Sequence, residues 1–459
     1  MQRLILVVSI IALAGSSARA QETGPPPSAN DALLHELEEL RAEQATLRAE
    51  QKALRAELAA QHARPAPPVQ LGFGQNGFFL RTPDDSFQLR IRSVIQADGR
   101  AYVDDALKAQ DTFLIRRARL YIEGSVGDFV DYRLMPDFAG GQVVLFDAWV
   151  NLRPWTFLQL RGGKMKSPFG LSRLQTEQNL VFTERGLASD LAPDRDIGAS
   201  LHGDVAGKTF SYELGFFNGV ADGSSADTDN NYGKDLEARI FVHPLRPLHN
   251  KWVDDFGLGV AATYGWQHGT ATATGLSSFK TEGQITFFSW LNDAKTGVFA
   301  YAYGNRWRVD PQLYYYVGPV ALQGEYVYSS TNVTAGGNAA TIANQAWQLE
   351  VSGVLTGEHP SYDGLKPRRP FSLSRRQLGA FEVGIRVDQL YVNDAAFPNF
   401  ADPTKSARRA TGVAAQLNWY FTANVRFALL YAHTVFKGGN GTGDRAPEDA
   451  FLGRLQVAF

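Results

Sequence analysis

"TFLIRRARLYIEG", Thr112 to Gly124, sets three arginines into a stretch otherwise patterned as a β-strand. A guanidinium is a planar fork of donors that matches phosphate or carboxylate oxygens, and lysine supplies a mobile point charge. In a dry sheet interior each unpaired charge would cost roughly several kcal/mol. Counting alternate residues along neighbouring strands adds more bases on one phase: Arg90, Arg92, Arg117, Arg119, Arg133, Arg161, Lys164 and Lys166. Lining a narrow wet passage, such a set lowers the energy of an anion and raises that of a cation. The acidic counterweight is large. Residues 87–195 hold 15 basic and 13 acidic side chains, so any selectivity would rest on placement.

Other chemistry is absent from the sequence. There is no cysteine, hence no thiolate nucleophile and no Cys-bearing zinc site. The eight histidines form no H-x-x-x-H ligand pair, and "GFGQNG" at 72–77 lacks the lysine of a phosphate-binding loop. The reading is not an enzyme, with no catalytic residues, no metal site and no cofactor. A net charge of −2 gives no case for nucleic acid.

The elements that would position the basic set follow from patterning. "MQRLILVVSIIALAGSSARA" (1–20) has a basic start, a short apolar core and an A-x-A site, which predicts an exported chain with a cleaved signal peptide. Residues 21–30 read as disordered. Residues 31–64 repeat Leu33, Leu40, Leu47 and Leu54 every seventh position, with Leu37 and Leu58 beside them, and predict a coiled-coil helix. Prolines 65, 67 and 68 open a linker, 65–86, that leads into the next domain.

From there alternation takes over. Phe87, Leu89, Ile91 and Ile95 oppose Gln88, Arg90, Arg92 and Gln96; Val144, Phe146, Ala148, Val150 and Leu152 oppose Asp147 and Asn151; Trp307 and Val309 oppose Arg306 and Arg308. Such segments predict strands near 87–103, 112–124, 129–138, 143–152, 157–166, 195–204, 208–218, 232–243, 256–267, 303–316, 319–330, 344–357, 379–391, 409–421, 425–437 and 447–459. "ITFFSW" (285–290) alternates too but reads as loop. Tight turns at 125–128, 153–156, 317–319 and 422–424 fall on one end, and long connections at 167–194, 219–231, 268–302 and 438–446 on the other. Strand parity places one exception, 358–378, on the tight-turn end. That asymmetry, with aromatics at strand ends and a terminal Phe459, describes an all-β chain: a 16-stranded antiparallel transmembrane β-barrel over 87–459, preceded by the helical segment. Its polar face would be solvated, which resolves the three arginines. Arg116 alone falls on the lipid phase, and is tolerable there near a strand end or with a bulge that turns it inward.

At "SFQLRIRSVIQADGRAY", "FLIRRARLYIEGSVGD", "DAWVNLRPW", "LRGGKMKSPFG" and "ERGLASDLAPDRDIG", and later at "SYDGLKPRRPFSL" and "LNWYFTANVRFALLY", the sequence resembles the phosphate-selective porin O/P family over about residues 72–459. The resemblance implies a homotrimeric barrel in the bacterial outer membrane, in contact with its lipid, passing inorganic anions such as phosphate or polyphosphate through an Arg/Lys constriction. It matches the family's double arginine to Arg116 and Arg117, its lysine before "PFG" to Lys166, and the basic residue of its infolded third loop to Arg185. Loop 167–194 would then press the lumen toward Arg90, Arg92, Arg117 and Arg133. The family's run of vestibule arginines has no clear counterpart between 205 and 243. The helical segment would stand in the periplasm. Three alternatives stay open: a weakly selective general porin, a structural outer-membrane protein tethered through its coiled coil, and a secreted soluble β-protein.

Overall fold

The computed structural model describes residues 29–62, 69–74, 77–103, 109–229 and 232–459. The expected signal peptide (1–20), residues 21–28 and the proline-rich stretch 63–68 lie outside the described residues. The chain divides into two compact units, 1–67 and 68–459.

In the first unit a single α-helix, α1, runs Ala29–His62, starting two residues ahead of the expected coiled coil. Leu34, Leu37, Leu40, Leu47 and Leu54 are all exposed on this one chain.

The second unit is a barrel. Its strands are β1 (Phe87–Tyr102), β2 (Thr112–Val126), β3 (Val130–Asp137), β4 (Val144–Trp155), β5 (Leu158–Lys166), β6 (Arg195–Val205), β7 (Phe210–Phe217) and β8 (Asp235–Val242), then β9 (Phe256–His268), β10 (Tyr301–Val317), β11 (Val320–Ala335), β12 (Asn338–Val354), β13 (Ala380–Tyr391), β14 (Ala407–Tyr420), β15 (Val425–Asn440) and β16 (Glu448–Ala458). Each pairs antiparallel with its neighbour, and β16 pairs back onto β1 from Ala458↔Val94 to Ala450↔Tyr102, which closes the sheet and leaves no edge. All sixteen expected strands are present. The largest boundary difference is at β11 and β12, which run on to a tight turn at Gly336–Gly337 rather than stopping at 330 and 344. Both glycines have positive φ, the backbone that such a hairpin needs.

The approach to the barrel is more ordered than a linker. Gln70–Gly74 and Gly77–Arg81 form a hairpin, and its second arm pairs with β1 at 88–91, just beyond the stretch that β16 covers. Phe73 and Phe78 lie 6.3 and 6.5 Å from the ring of Phe459. "ITFFSW" is confirmed outside the barrel: Thr286–Phe288 pairs with Phe279–Lys280 in a separate small sheet.

Alternation sets the two faces, and bulges interrupt it in several strand pairs, β1–β2 and β3–β4 of the basic wall among them. Opposite β1, Gln96 faces Arg117 and Ala97 faces Ile115, so Arg116 is an extra residue, a bulge. Between β3 and β4 the register jumps from Met135↔Asp147 to Pro136↔Leu145, and the extra residue is Phe146. Strict alternation assigned both to lipid; both bulges turn them inward. Phe146 packs on Val94, Tyr121 and Met135 and lies under the guanidinium groups of Arg119 (4.0 Å) and Arg195 (4.7 Å).

The interior is not polar throughout. Toward the long-loop end, Val327, Val333, Ile342, Ala346 and Leu390 of β11–β13 pack with Phe169, Leu187 and Leu191 of loop 167–194 and with Phe279, Phe287 and Phe288 of the β9–β10 connection. This part of the interior is a dry core, a correction to the water-filled lumen expected from alternation.

Candidate functional site: the infolded loop and the basic wall

Loop 167–194 leaves β5 and crosses the barrel. Buried backbone needs partners, and strands β10–β16 supply them in two kinds. At its start, Gly170 N and Leu171 N donate to Asp310 Oδ2 (2.9 Å) and Glu325 Oε2 (2.6 Å). Farther on, arginine and amide side chains donate to its carbonyls: Arg426 to Leu180 (2.6 Å), Asn418 to Val181 (2.9 Å), Arg386 to Glu184 (3.0 Å), with Arg454 to Thr183 as well. Leu187 N returns to Asp388 (3.0 Å).

From the turn end, the 355–379 connection supports the loop. Tyr362 donates its hydroxyl to Leu171 O (2.6 Å), its carbonyl accepts from Gln175 (2.8 Å), and its ring stacks on Tyr314. The turn-end lumen holds two cavities that both touch Ser361 and Asp363. One, about 420 Å³, is lined by Lys208, Arg239, His243, Arg246 and Glu213; the other, about 450 Å³, by Arg92, Gln178, Asn179, His359 and Lys366.

The loop's carboxylates face the basic wall. Glu184 meets Arg116 Nε (2.7 Å), Arg454 Nη2 (2.8 Å) and Arg100 Nη2 (3.3 Å). Glu177 meets Arg119 (2.9 Å), Arg185 (3.5 Å), Arg195 (3.7 Å) and Lys166 (3.9 Å). Burial would raise both acids. The cations outweigh it, Arg116, Arg454 and Arg117 at Glu184 and Lys166, Arg119, Arg185 and Arg195 at Glu177, and both carboxyls are held well below the usual carboxylate range.

The expected site residues are distributed as follows. Arg116, Arg117 and Arg119 lie side by side on the inner face of β2. Arg119 pairs with Asp137 (2.7 Å) as well as Glu177. Arg117 is buried, donates to Gln96 Oε1 (2.7 Å), has no carboxylate partner among the described residues, and leaves its Nε without a hydrogen bond. Arg92 and Arg133 share Glu123 at 2.8 and 2.9 Å. Arg161 reaches the His202 ring (3.1 Å) and lies over Trp149. Lys164 pairs with Asp227. Arg90, at the foot of β1 opposite Phe79, makes no ion pair with a described residue. Lys166 and Arg185 hold the loop in shape: Lys166 donates to the carbonyls of Arg173 (2.6 Å) and Gln175 (3.0 Å), Arg185 to those of Ser172 (2.8 Å) and Gln175 (2.9 Å).

Four cations of the same cluster were missed: Arg100, Arg173, Arg195 and Arg454. Arg195 opens β6 and pairs with Asp147 (2.9 Å); Arg454 grips Asp98 through Nε and Nη2, both at 2.7 Å. Closure supplies the signal for Arg454, because the last strand of a barrel lies beside the first.

A closed sheet of sixteen antiparallel strands, apolar outside with aromatics at its ends and crossed inside by a folded-in loop, defines an outer-membrane porin barrel, a channel fold. The family model described as phosphate-selective porin O and P matches residues 87–459, and the chain belongs to that family, one of channels and not of enzymes. Among solved structures, the outer membrane channel DcaP of Acinetobacter baumannii is similar at 10% identity and TM-score 0.51, covering 83% of this chain and 99% of that one. The anion-selective porin from Comamonas acidovorans (12% identity, TM-score 0.48, 81% and 99% covered) and the trimer form of OmpT, an outer membrane protein of Vibrio cholerae (10% identity, TM-score 0.49, 82% and 100% covered), are similar too. At such identities the likeness speaks to fold alone. A search of curated proteins returned no match.

Proposed function

We propose that this porin passes small anions, phosphate among them, along the wall formed by β1–β6 and β16. The observation that carries the reading is a local excess of positive charge. The ion-paired clusters that join the infolded loop to this wall, with Arg117 beside them, hold eleven cations (Arg92, Arg100, Arg116, Arg117, Arg119, Arg133, Lys166, Arg173, Arg185, Arg195 and Arg454) and seven carboxylates (Asp98, Glu123, Asp137, Asp147, Glu177, Glu184 and Asp194). Ion pairing fixes most of these heads in place. Arg117, lacking a carboxylate, is the donor with most to offer a passing oxyanion, and a charge-assisted hydrogen bond to it is shorter and stronger than a neutral one. Anchoring of Lys166 and Arg185 to loop carbonyls gives them a second role, as fixed charge that shapes the passage.

The reading extends to assembly. Three barrels with their helices zipped on the periplasmic side would cover the exposed heptad leucines of α1, and a trimer form is known for the structurally similar OmpT.

The test is the zero-current potential of a planar bilayer in a potassium chloride gradient. The wild type should prefer chloride, and added phosphate should reduce the chloride current by competing for the same donors. Arg117→Glu should move the potential toward cations, and Arg117→Gln should fall between. A variant that keeps the wild-type potential would leave Arg117 outside the filter.

A second reading, a weakly selective pore, is favoured by the far wall. There Asp222, Asp235, Glu237, Asp310, Glu325, Glu382 and Asp388 outnumber Arg239, Arg306, Arg308, Arg386 and Arg426, all facing inward. That sets up a transverse field across the lumen rather than a uniformly positive one. A potential near zero, unmoved by phosphate, would select this reading.

A further inference from the structure

The 355–379 connection is long for the turn end, and only part of it enters the lumen. Residues 370–378 turn the other way. Phe371 N donates to Phe421 O (2.7 Å), Trp419 Nε1 donates to Leu378 O (2.6 Å), and the Phe371 ring lies 6.1 Å from Trp419 and 5.5 Å from Phe421. Trp419 stacks in turn on Phe381, and both lie on the outward phase, since their neighbours Glu382, Asn418 and Tyr420 are buried inside. The segment is therefore clipped to the outside of the barrel at the aromatic girdle, where lipid headgroups begin.

Its composition suits that place. Leu373 and Leu378 are 83% and 61% exposed. Residues 358–378 carry Lys366, Arg368, Arg369, Arg375 and Arg376 against Glu358 and Asp363, and all five cations are exposed and make no ion pair with a described residue. Glu358 is occupied by Thr356 and by the backbone N–H of Arg368.

Directly above lies an apolar concavity of about 950 Å³ on the outer wall of β12–β16 and β1. Its lower rim is Val383 and Leu417, which pair one pleat above the Phe381↔Trp419 pair, and it passes over Ala415 and Gly453. One pleat is about 7 Å, so headgroup cluster and groove are within one lipid's length.

We propose that this wall binds an anionic phospholipid of the periplasmic leaflet, its phosphate held by the arginines of 368–376 and an acyl chain lying in the groove. Basic residues at an anionic surface each strengthen binding by a factor of about five, and leucines beside them anchor in the acyl boundary.

The test uses the full-length protein in nanodiscs of equal parts phosphatidylethanolamine and phosphatidylglycerol, released for native mass spectrometry. Wild type should retain phosphatidylglycerol in preference. Replacing Arg368, Arg369, Arg375 and Arg376 with Gln should lower that retention more than about a hundredfold, with heat-modifiable gel migration unchanged. Ala415→Phe, which fills the groove and leaves the arginines, should lower it too. Four results would overturn the proposal: equal retention of both lipids, wild-type retention by the quadruple variant, displacement of the lipid by inorganic phosphate, which would mark a soluble-anion site, or a changed oligomeric mass in the quadruple variant, which would mark a surface for a second copy. None of these outcomes depends on the pore being anion-selective.

Discussion

Arg116 Nε donates to Glu184 Oε1 across 2.7 Å, from a position that strict alternation turns toward lipid. The bulge opposite Gln96 brings it inside, and Nη2 adds a second bond to Glu184 Oε2 at 3.1 Å. One inserted residue thus converts a misplaced charge into an anchor for the infolded loop.

Glu184→Gln should make the pore more anion-selective and the loop less secure. It removes the carboxylate shared by Arg100, Arg116 and Arg454, leaving Asp98 as the acid beside them. Breaking a buried pair costs about 3–5 kcal/mol. Zero-current potential should move toward anions, and single-channel current should become noisier.

Phe146→Leu should destabilise the barrel by about 1–3 kcal/mol, because the ring lies under both Arg119 and Arg195. The temperature at which heat-modifiable migration is lost should fall, and Phe146→Tyr should restore most of it.

Selectivity should respond to pH near neutrality through Asp190. Burial pushes this loop carboxyl up to about 7; the hydrogen bond from Lys280 N and the charges of Arg173 and Lys280 offset only part, and Asp388 adds to the rise. Its folded value lies above the unfolded one, so its contribution to stability is full below about pH 4 and is lost as pH rises through 7. Between pH 8 and 6 it takes up a proton, removing a negative charge, and anion preference should increase. Asp190→Asn should flatten that response. Glu177 and Glu184 have the opposite sign: their contribution is present above about pH 4.5 and is lost only as pH falls well below it, so the loop should stay docked at pH 5.

Deleting residues 29–62 should weaken the oligomer and leave the barrel intact. Leu40 and Leu47 are exposed on the single chain and need partners to be covered. Light scattering in mild detergent should give a trimeric mass for the full chain. A monomeric mass would remove the coiled coil from the account.

The strands were legible because a lipid-facing wall enforces a period of two, which the segments from Phe87 onward follow between bulges such as those at Arg116 and Phe146. Arg116 gave notice of its bulge, since a charge on the apolar phase calls for one. Phe146 gave none, because an aromatic fits the lipid phase equally well. The dry core was hidden for a related reason: Val327, Val333, Ile342 and Leu390 occupy inner positions, but alternation cannot reveal that loops fold down to cover them. At the site, sequence phase located Arg92, Arg117, Arg119 and Arg133 on the inner wall. It could not pair them with Glu177 and Glu184, because a loop has no period from which to read which side chain meets which wall.

A hoop of sixteen strands resists bursting far better than it resists flattening, since its hydrogen bonds run around the circumference. The infolded loop changes the mechanics. Bonded to Glu325 and Asp310 on one side and to Arg116 and Arg119 on the other, it is a tie rod across a diameter. Lateral pressure from the bilayer that would otherwise make the barrel oval is carried by that rod, and the bore keeps its shape as the membrane around it thickens or thins.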